Sequence, residues 1–158
     1  MSDAALRLNS KFLQKPTITL VPSQPLLRQL FELSARLSDW MPEDVSAERR
    51  AVNGVNGLHI RPLDADPTPR ILYLHGGGFT IGSARTHRGL VARLCASARI
   101  SAFVPDYPLA PEAPFPAAHD TVIEIYDALA RQAPIAVAGD SAGGTLAAWL
   151  TSERSPLA

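Results

Sequence analysis

Ile135-Ala136-Val137-Ala138-Gly139-Asp140-Ser141-Ala142-Gly143-Gly144 is the stretch on which the fold of this chain turns. Its first four residues read as a short, buried apolar strand, and Ala142 to Glu153 reads as a helix. Between them lies a G-x-S-x-G elbow, a strand-to-helix turn tight enough to push Ser141 out of the plane of the sheet. Gly139 and Gly143 are required because a Cβ at either position would collide with the neighbouring strand or helix. A second stretch is built the same way. Ile71-Leu72-Tyr73-Leu74 is an apolar strand, and it runs into His75-Gly76-Gly77-Gly78-Phe79. By composition, a G-x-S-x-G arises by chance in roughly one chain of this length in twenty and an HGGG on the order of one in a thousand. Finding both, each directly after a strand, makes coincidence a poor account of either.

The two stretches supply complementary chemistry. A serine hydroxyl is a poor nucleophile until it is exposed, held rigidly and given a base. The elbow exposes Ser141, and the N–H of Ala142, at the start of the following helix, points at the same spot with the helix dipole behind it. The glycine run adds further outward-facing amides at Gly77 and Gly78, with no side chains in the way of a ligand. A Cβ branch at Gly77 is expected to block that approach. Glycine-rich loops ahead of helices also bind phosphate. Residues 76–83, however, match neither G-x-G-x-x-G with a downstream acid nor a loop ending in Lys. His75 is placed to brace the loop rather than to act as a base. His119 and Asp120 are read as helix-surface residues, and His59 and His87 as belonging to no catalytic group. No His, Cys and Asp cluster has metal-ligand spacing, and no cofactor is expected.

Outward from the motifs, strands and helices alternate. Residues 26–39 have helical apolar spacing, as a helix covering the core or part of a lid. Residues 47–63 read as a hairpin whose turn contains both Asn53-Gly54 and Asn56-Gly57. Helices are expected over 86–98 and 117–131, and a strand over 100–104. This order implies βαβ units and a mainly parallel sheet. The 158 residues are enough for one core, with 15 basic residues balancing 15 acidic ones. That balance gives no electrostatic case for nucleic acid or an anionic membrane. The single cysteine, Cys95, excludes an internal disulfide and reads as a small buried helix residue. Residues 1–14 have no apolar signal region and no run is long enough to span a membrane, so a cytoplasmic location is expected.

Taken together, the motifs resemble the hormone-sensitive-lipase-like family of α/β-hydrolases, which includes many bacterial carboxylesterases. The resemblance rests on HGGGF at 75–79, on Asp106-Tyr107-Pro108-Leu109-Ala110-Pro111-Glu112 followed by Pro114-Phe115-Pro116-Ala117-Ala118, and on GDSAGG at 139–144. It implies an α/β-hydrolase core over residues 46–158 under an N-terminal cap segment over 1–45. It implies Ser141 as nucleophile, the amides of Gly77, Gly78 and Ala142 as oxyanion hole, and His75, Gly76, Gly139, Asp140 and Gly143 as their support. The substrate implied is a small-molecule ester. Two features depart from the family. Pro108 stands where the family usually has arginine. No histidine follows Ser141, and Glu153 is the only acid that does, whereas the family order is Ser, Asp, His. The resemblance is therefore to the N-terminal part of such an enzyme, expected to be weakly active or inactive by itself. The alternative is a binding or regulatory remnant without catalysis. A strand at 135–138 with no following partner is also expected to promote self-association along its free edge.

Overall fold

A computed structural model describes residues 23–37 and 39–154. The first 22 residues of the expected cap lie outside the described part. Helix α1 (Gln24–Leu37) precedes a hairpin of β1 (Val45–Val52) and β2 (Val55–Pro62). There follow β3 (Pro69–Leu74), α2 (Arg88–Ala98), β4 (Ser101–Pro105), α3 (Ala117–Ala130), β5 (Ala136–Gly139) and α4 (Ser141–Arg154). The hairpin turn is Asn53-Gly54 alone. Both residues have positive φ, 49° and 80°, as a two-residue turn of matching twist requires. The second Asn-Gly, expected in the turn, lies inside β2. Gly57 is glycine because a Cβ there would sit 2.8 Å from the Phe103 ring and 2.9 Å from Pro105 Cα of β4.

The strands form one sheet in the order β1-β2-β4-β3-β5. Strand β2 is antiparallel to both its neighbours, and β3 is parallel to β4 and to β5. The C-terminal ends of β3, β4 and β5 therefore lie at one end of the sheet, where the loops after them meet. Alternation along the strands divides the core in two. Ile71, Tyr73, Ile60, Ala102 and Val104 face α2, packing with Val91, Ala92 and the buried Cys95. Leu72, Leu74 and Phe103 face α3 and α4, packing with Val122, Ile125, Leu146 and Leu150. Burial raises the Cys95 thiol to about 11, which suits a packing residue and not a nucleophile.

Two expectations are corrected. Strand β5, expected to be buried, is exposed at Ala136 and half-buried at Val137 to Gly139; its free edge, paired only to β3 among the described residues, is as expected. Helix α1 does not turn its leucine stripe inward. Leu26, Leu30, Leu33 and Leu37 are exposed, and the helix is held mainly by polar side chains: Arg28, Glu32 (whose carboxylate accepts from Ser83 Oγ at 2.6 Å) and Asp39 just beyond it, paired with Arg88. No helix among the described residues is long and apolar enough to cross a membrane.

The contact of α4 with the end of β3 sets a steric test. A Cβ at Gly143 would press into the Leu74 carbonyl and lie 2.6 Å from the His75 carbonyl oxygen. Gly143→Ala should lower stability in urea unfolding by at least about 1–3 kcal/mol, the usual cost of overpacking. At Gly144 the nearest atom to a new Cβ is the Gly139 carbonyl oxygen, 3.4 Å away. Gly144→Ala should therefore change stability by no more than about 1 kcal/mol, in the stabilising direction. Equal losses at the two positions would contradict this packing.

Candidate active site

Ser141 opens α4 with φ 50°. A residue with a Cβ rarely adopts that conformation, and it is held here by what surrounds it. The side of the turn away from the sheet is exposed, whereas Ala142 and Gly143 are buried. Gly139 admits the helix, since a Cβ there would lie 2.5 Å from the Gly143 carbonyl carbon and 2.6 Å from the Leu74 carbonyl oxygen. The first N–H groups of a helix lack intrahelical acceptors, and the Ala142 N–H has none elsewhere among the described residues. Ser141 Oγ likewise has no partner among them.

The glycine loop is aimed by its carbonyls. Because a trans peptide is planar, a carbonyl fixed on one side turns the next residue's N–H to the other. The Gly76 carbonyl accepts from His75 Nδ1 at 2.9 Å, which sets the N–H of Gly77. The Gly77 carbonyl accepts from the N–H groups of Thr80 at 3.1 Å and Ile81 at 3.0 Å, which sets the N–H of Gly78. Gly77 has φ 130°, and a Cβ there would strike the Ile81 carbonyl. Its glycine is thus demanded by the turn of the loop itself, a different reason from the substrate approach expected from the sequence. At Gly78 a Cβ would meet nothing within 4 Å.

His75 is fully buried, stacked on Tyr107 with ring centres 4.2 Å apart. Burial lowers its pKa to about 4. The neutral ring must carry its proton on Nδ1, because the Gly76 carbonyl only accepts. The Tyr107 hydroxyl donates to the His75 carbonyl. Asp140 joins this loop to the elbow. Its Oδ1 accepts from the Gly76 N–H at 3.0 Å and from the Tyr73 hydroxyl at 3.1 Å, and lies 3.3 Å from His87 Nε2. A Cβ at Gly76 would run into the Asp140 carboxylate. Burial first, and the Asp140 charge second, push both tyrosine hydroxyls well above their ordinary range, so they act as donors at every working pH.

The structure brings together all the residues singled out in the two motifs, and adds others. His87, read as belonging to no group, is buried beside His75, with ring centres 5.6 Å apart. His119 is not a surface residue. It is half-buried, against Trp149 at 4.6 Å, Phe115 at 4.9 Å and Phe79 at 6.2 Å between ring centres. Phe79, Phe115 and His119 border an apolar pocket of about 290 Å³ that also takes in Pro108, Ala110 and Ala118. Asp106 accepts from the Ala84 N–H at 2.7 Å and pairs with Arg49. Sequence spacing carried no signal for His87 or for Tyr107 as a lid on His75, since both arrive through tertiary packing. Among the described residues no group of His, Cys, Asp or Glu is arranged to hold a metal ion.

With an elbow serine and a glycine loop at the C-terminal ends of β5 and β3, the fold and site define a hydrolase of the α/β class. The sequence profile of the alpha/beta hydrolase fold matches residues 71–155, and the chain belongs to that family, on its hormone-sensitive-lipase-like esterase branch. It is 35% identical over 142 residues to an esterase of Acinetobacter venetianus, covering 85% of this chain and 44% of that protein. It is 40% identical over 101 residues to the carboxylic ester hydrolase LipN of Mycobacterium tuberculosis, covering 57% of this chain and 26% of that one. A crystal structure of an esterase from the bacterial hormone-sensitive lipase family superposes with a TM-score of 0.77 at 33% identity, over 99% of this chain and 55% of that one. The chain thus spans about half the length of its structural relatives, and less of these curated ones.

The state of His75 predicts a pH dependence. Its folded pKa, about 4, lies below its ordinary value of 6.5. Between those values the unfolded chain binds a proton that the folded chain refuses. Stability is therefore full above pH 6.5 and falls as pH drops toward 4, by about 1.4 kcal/mol per unit and ~3 kcal/mol in all. His59, lowered by burial as well, acts in the same direction. Urea titrations between pH 7 and 4.5 should show His75→Gln with a clearly shallower loss than the parent. Parallel curves would mean that His75 is protonated in the folded chain.

Proposed function

We propose that this chain carries the nucleophile and oxyanion hole of a serine carboxylic-ester hydrolase working through an acyl-enzyme. The observation that carries the reading is the exposed Ser141 at φ 50°, joined through Asp140 and Gly76 to a loop whose next two amides have no partner among the described residues. In this reading Ser141 Oγ attacks the ester carbonyl carbon as its proton passes to a base. The negative charge gathered on the carbonyl oxygen is received by the N–H groups of Gly77, Gly78 and Ala142, each such donor being worth about 2.7–4 kcal/mol in the transition state. The alcohol leaves with the proton, and water then releases the acid. His75, Gly76, Gly139, Asp140 and Gly143 hold these groups in place. The acid and base of the triad come from outside residues 1–158. The pocket beside Phe79 takes an apolar part of a small ester, and α1 belongs to a cap over the site. A cytoplasmic location remains the reading of the N-terminal sequence.

A fluorophosphonate probe tests the nucleophile. With the acid and base of the triad supplied, labelling should fall on Ser141 and vanish in Ser141→Ala; undiminished labelling of the variant would overturn the assignment. The 158-residue chain should turn over p-nitrophenyl acetate weakly or not at all. An assembled hole without a base still leaves about 10³–10⁴-fold over water, whereas turnover near one per second, the low end of ordinary enzymes, would show a base within this chain. The free edge of β5 also supports self-association of the isolated chain. Light scattering after size exclusion should give a mass above 16.9 kDa, and a stable monomer would refute it.

A further inference from the structure

Arg28, on α1, bonds to the glycine loop once and to the loop after β4 three times, contacts that no sequence motif suggests. Its Nε donates to the Thr80 carbonyl at 2.7 Å. Its Nη2 donates to the Ala110 carbonyl at 2.9 Å, and its two Nη atoms grip Glu112 at 2.8 Å each. The Ala110 N–H in turn donates to the Phe79 carbonyl at 2.8 Å. One guanidinium therefore spans α1, the loop after β3 and the loop after β4. A planar fork with several fixed donors can do this, and a lysine cannot.

The bond to Thr80 has a consequence along the chain. The Thr80 carbonyl and the Ile81 N–H are opposite ends of one peptide plane. That N–H donates to the Gly77 carbonyl at 3.0 Å, and the Gly77 carbonyl and the Gly78 N–H are opposite ends of the next plane. We propose that Arg28 is a positioning residue heading a relay of two hydrogen-bonded peptide planes, Arg28 to Thr80–Ile81 to Gly77–Gly78, that orients and polarises the Gly78 N–H. This rests on the reading of that N–H as an oxyanion donor. Aligned hydrogen bonds polarise one another, and a cation at the head of the relay draws electron density away from its far end. Glu112 keeps the fork seated; the guanidinium beside it holds its carboxyl down to about 2. An exposed ion pair taken alone contributes little to stability. The relay places the value of Arg28 in the loop it grips.

The test uses the ¹⁵N-labelled 158-residue chain as parent, Arg28→Met, Arg28→Lys and Glu32→Ala. The last cuts the contact of α1 with Ser83 at 2.6 Å without touching the relay, so it reports mere loosening of the helix. Arg28→Met should move the Gly78 amide proton upfield and speed exchange of the Ile81 amide by about tenfold, as local opening does. Glu32→Ala should leave both signals in place, and Arg28→Lys should restore them only in part. In the chain completed by the acid and base of the triad, fluorophosphonate labelling of Ser141 should slow by about tenfold in Arg28→Met, less than the 10²–10³ of losing a donor outright, and stay unchanged in Glu32→Ala. Equal effects of Arg28→Met and Glu32→Ala would overturn the relay, as would a Gly78 amide indifferent to Arg28→Met. Should Arg28→Met fail to fold, Arg28→Lys decides: parent-like Gly78 and Ile81 signals in it overturn the relay. If the parent completed by the acid and base of the triad is not labelled at Ser141, the catalytic reading falls, and the amide signals of the 158-residue chain still decide the relay.

Discussion

Everything at this site depends on how closely the first turn of α4 approaches the end of β3. The backbone of Gly143 lies against the carbonyls of Leu74 and His75 with no room for a Cβ. That contact locks the elbow to the strand from which the glycine loop springs. The Asp140 carboxylate, accepting from the Gly76 N–H at 3.0 Å, fastens the two loops a second time. Ser141 and the amides of the loop thus belong to one rigid unit whose geometry is paid for by packing in the sheet rather than by binding a ligand. Such preorganisation lets donors stabilise developing charge without reorganising during the reaction.

Around that joint most of the polar groups are paired with one another; His75 Nε2, buried, has no partner among the described residues. His75 is held neutral by burial, with its Nδ1 proton spent on the Gly76 carbonyl. Tyr107 covers its ring and donates to its carbonyl. Tyr73 and His87 converge on Asp140. A buried network of this kind is costly when any member is left unpaired, so each of its bonds constrains the others. Among the described residues the N–H groups of Gly77 and Gly78 have no acceptor either.

The layout of the fold follows from local pattern. Apolar runs at 71–74 and 135–138, each ending in a glycine-rich turn, place two parallel strands and the loops at their ends. The hairpin turn follows from Asn53-Gly54, but the neighbouring Asn56-Gly57 looks identical in sequence and serves a different purpose. What makes position 57 glycine is the β4 backbone at Val104 and Pro105 across the sheet, with the Phe103 ring beside it, which no local reading contains. The apolar stripe of α1 predicts burial, yet Arg28 and Glu32 on its other side make the contacts. Periodicity says that a helix has two faces, not which one meets the loops. His87 and Arg28 were illegible for the same reason: each acts on a loop more than ten residues away in the chain, through carbonyls and carboxylates that carry no sequence spacing of their own. The motif residues are legible because the elbow and the glycine loop are fixed local patterns, although the atoms for which Gly76 and Gly143 make way, Asp140 and Leu74, lie far along the chain.

A crystal structure of this chain, completed by the acid and base of the triad and phosphonylated at Ser141, tests the central claim most directly. A preassembled hole predicts that a phosphonyl oxygen lies about 2.7–3.1 Å from the amide nitrogens of Gly77, Gly78 and Ala142, with residues 75–82 unmoved. A phosphonyl oxygen pointing to solvent, or a loop that must rearrange to reach it, would contradict it.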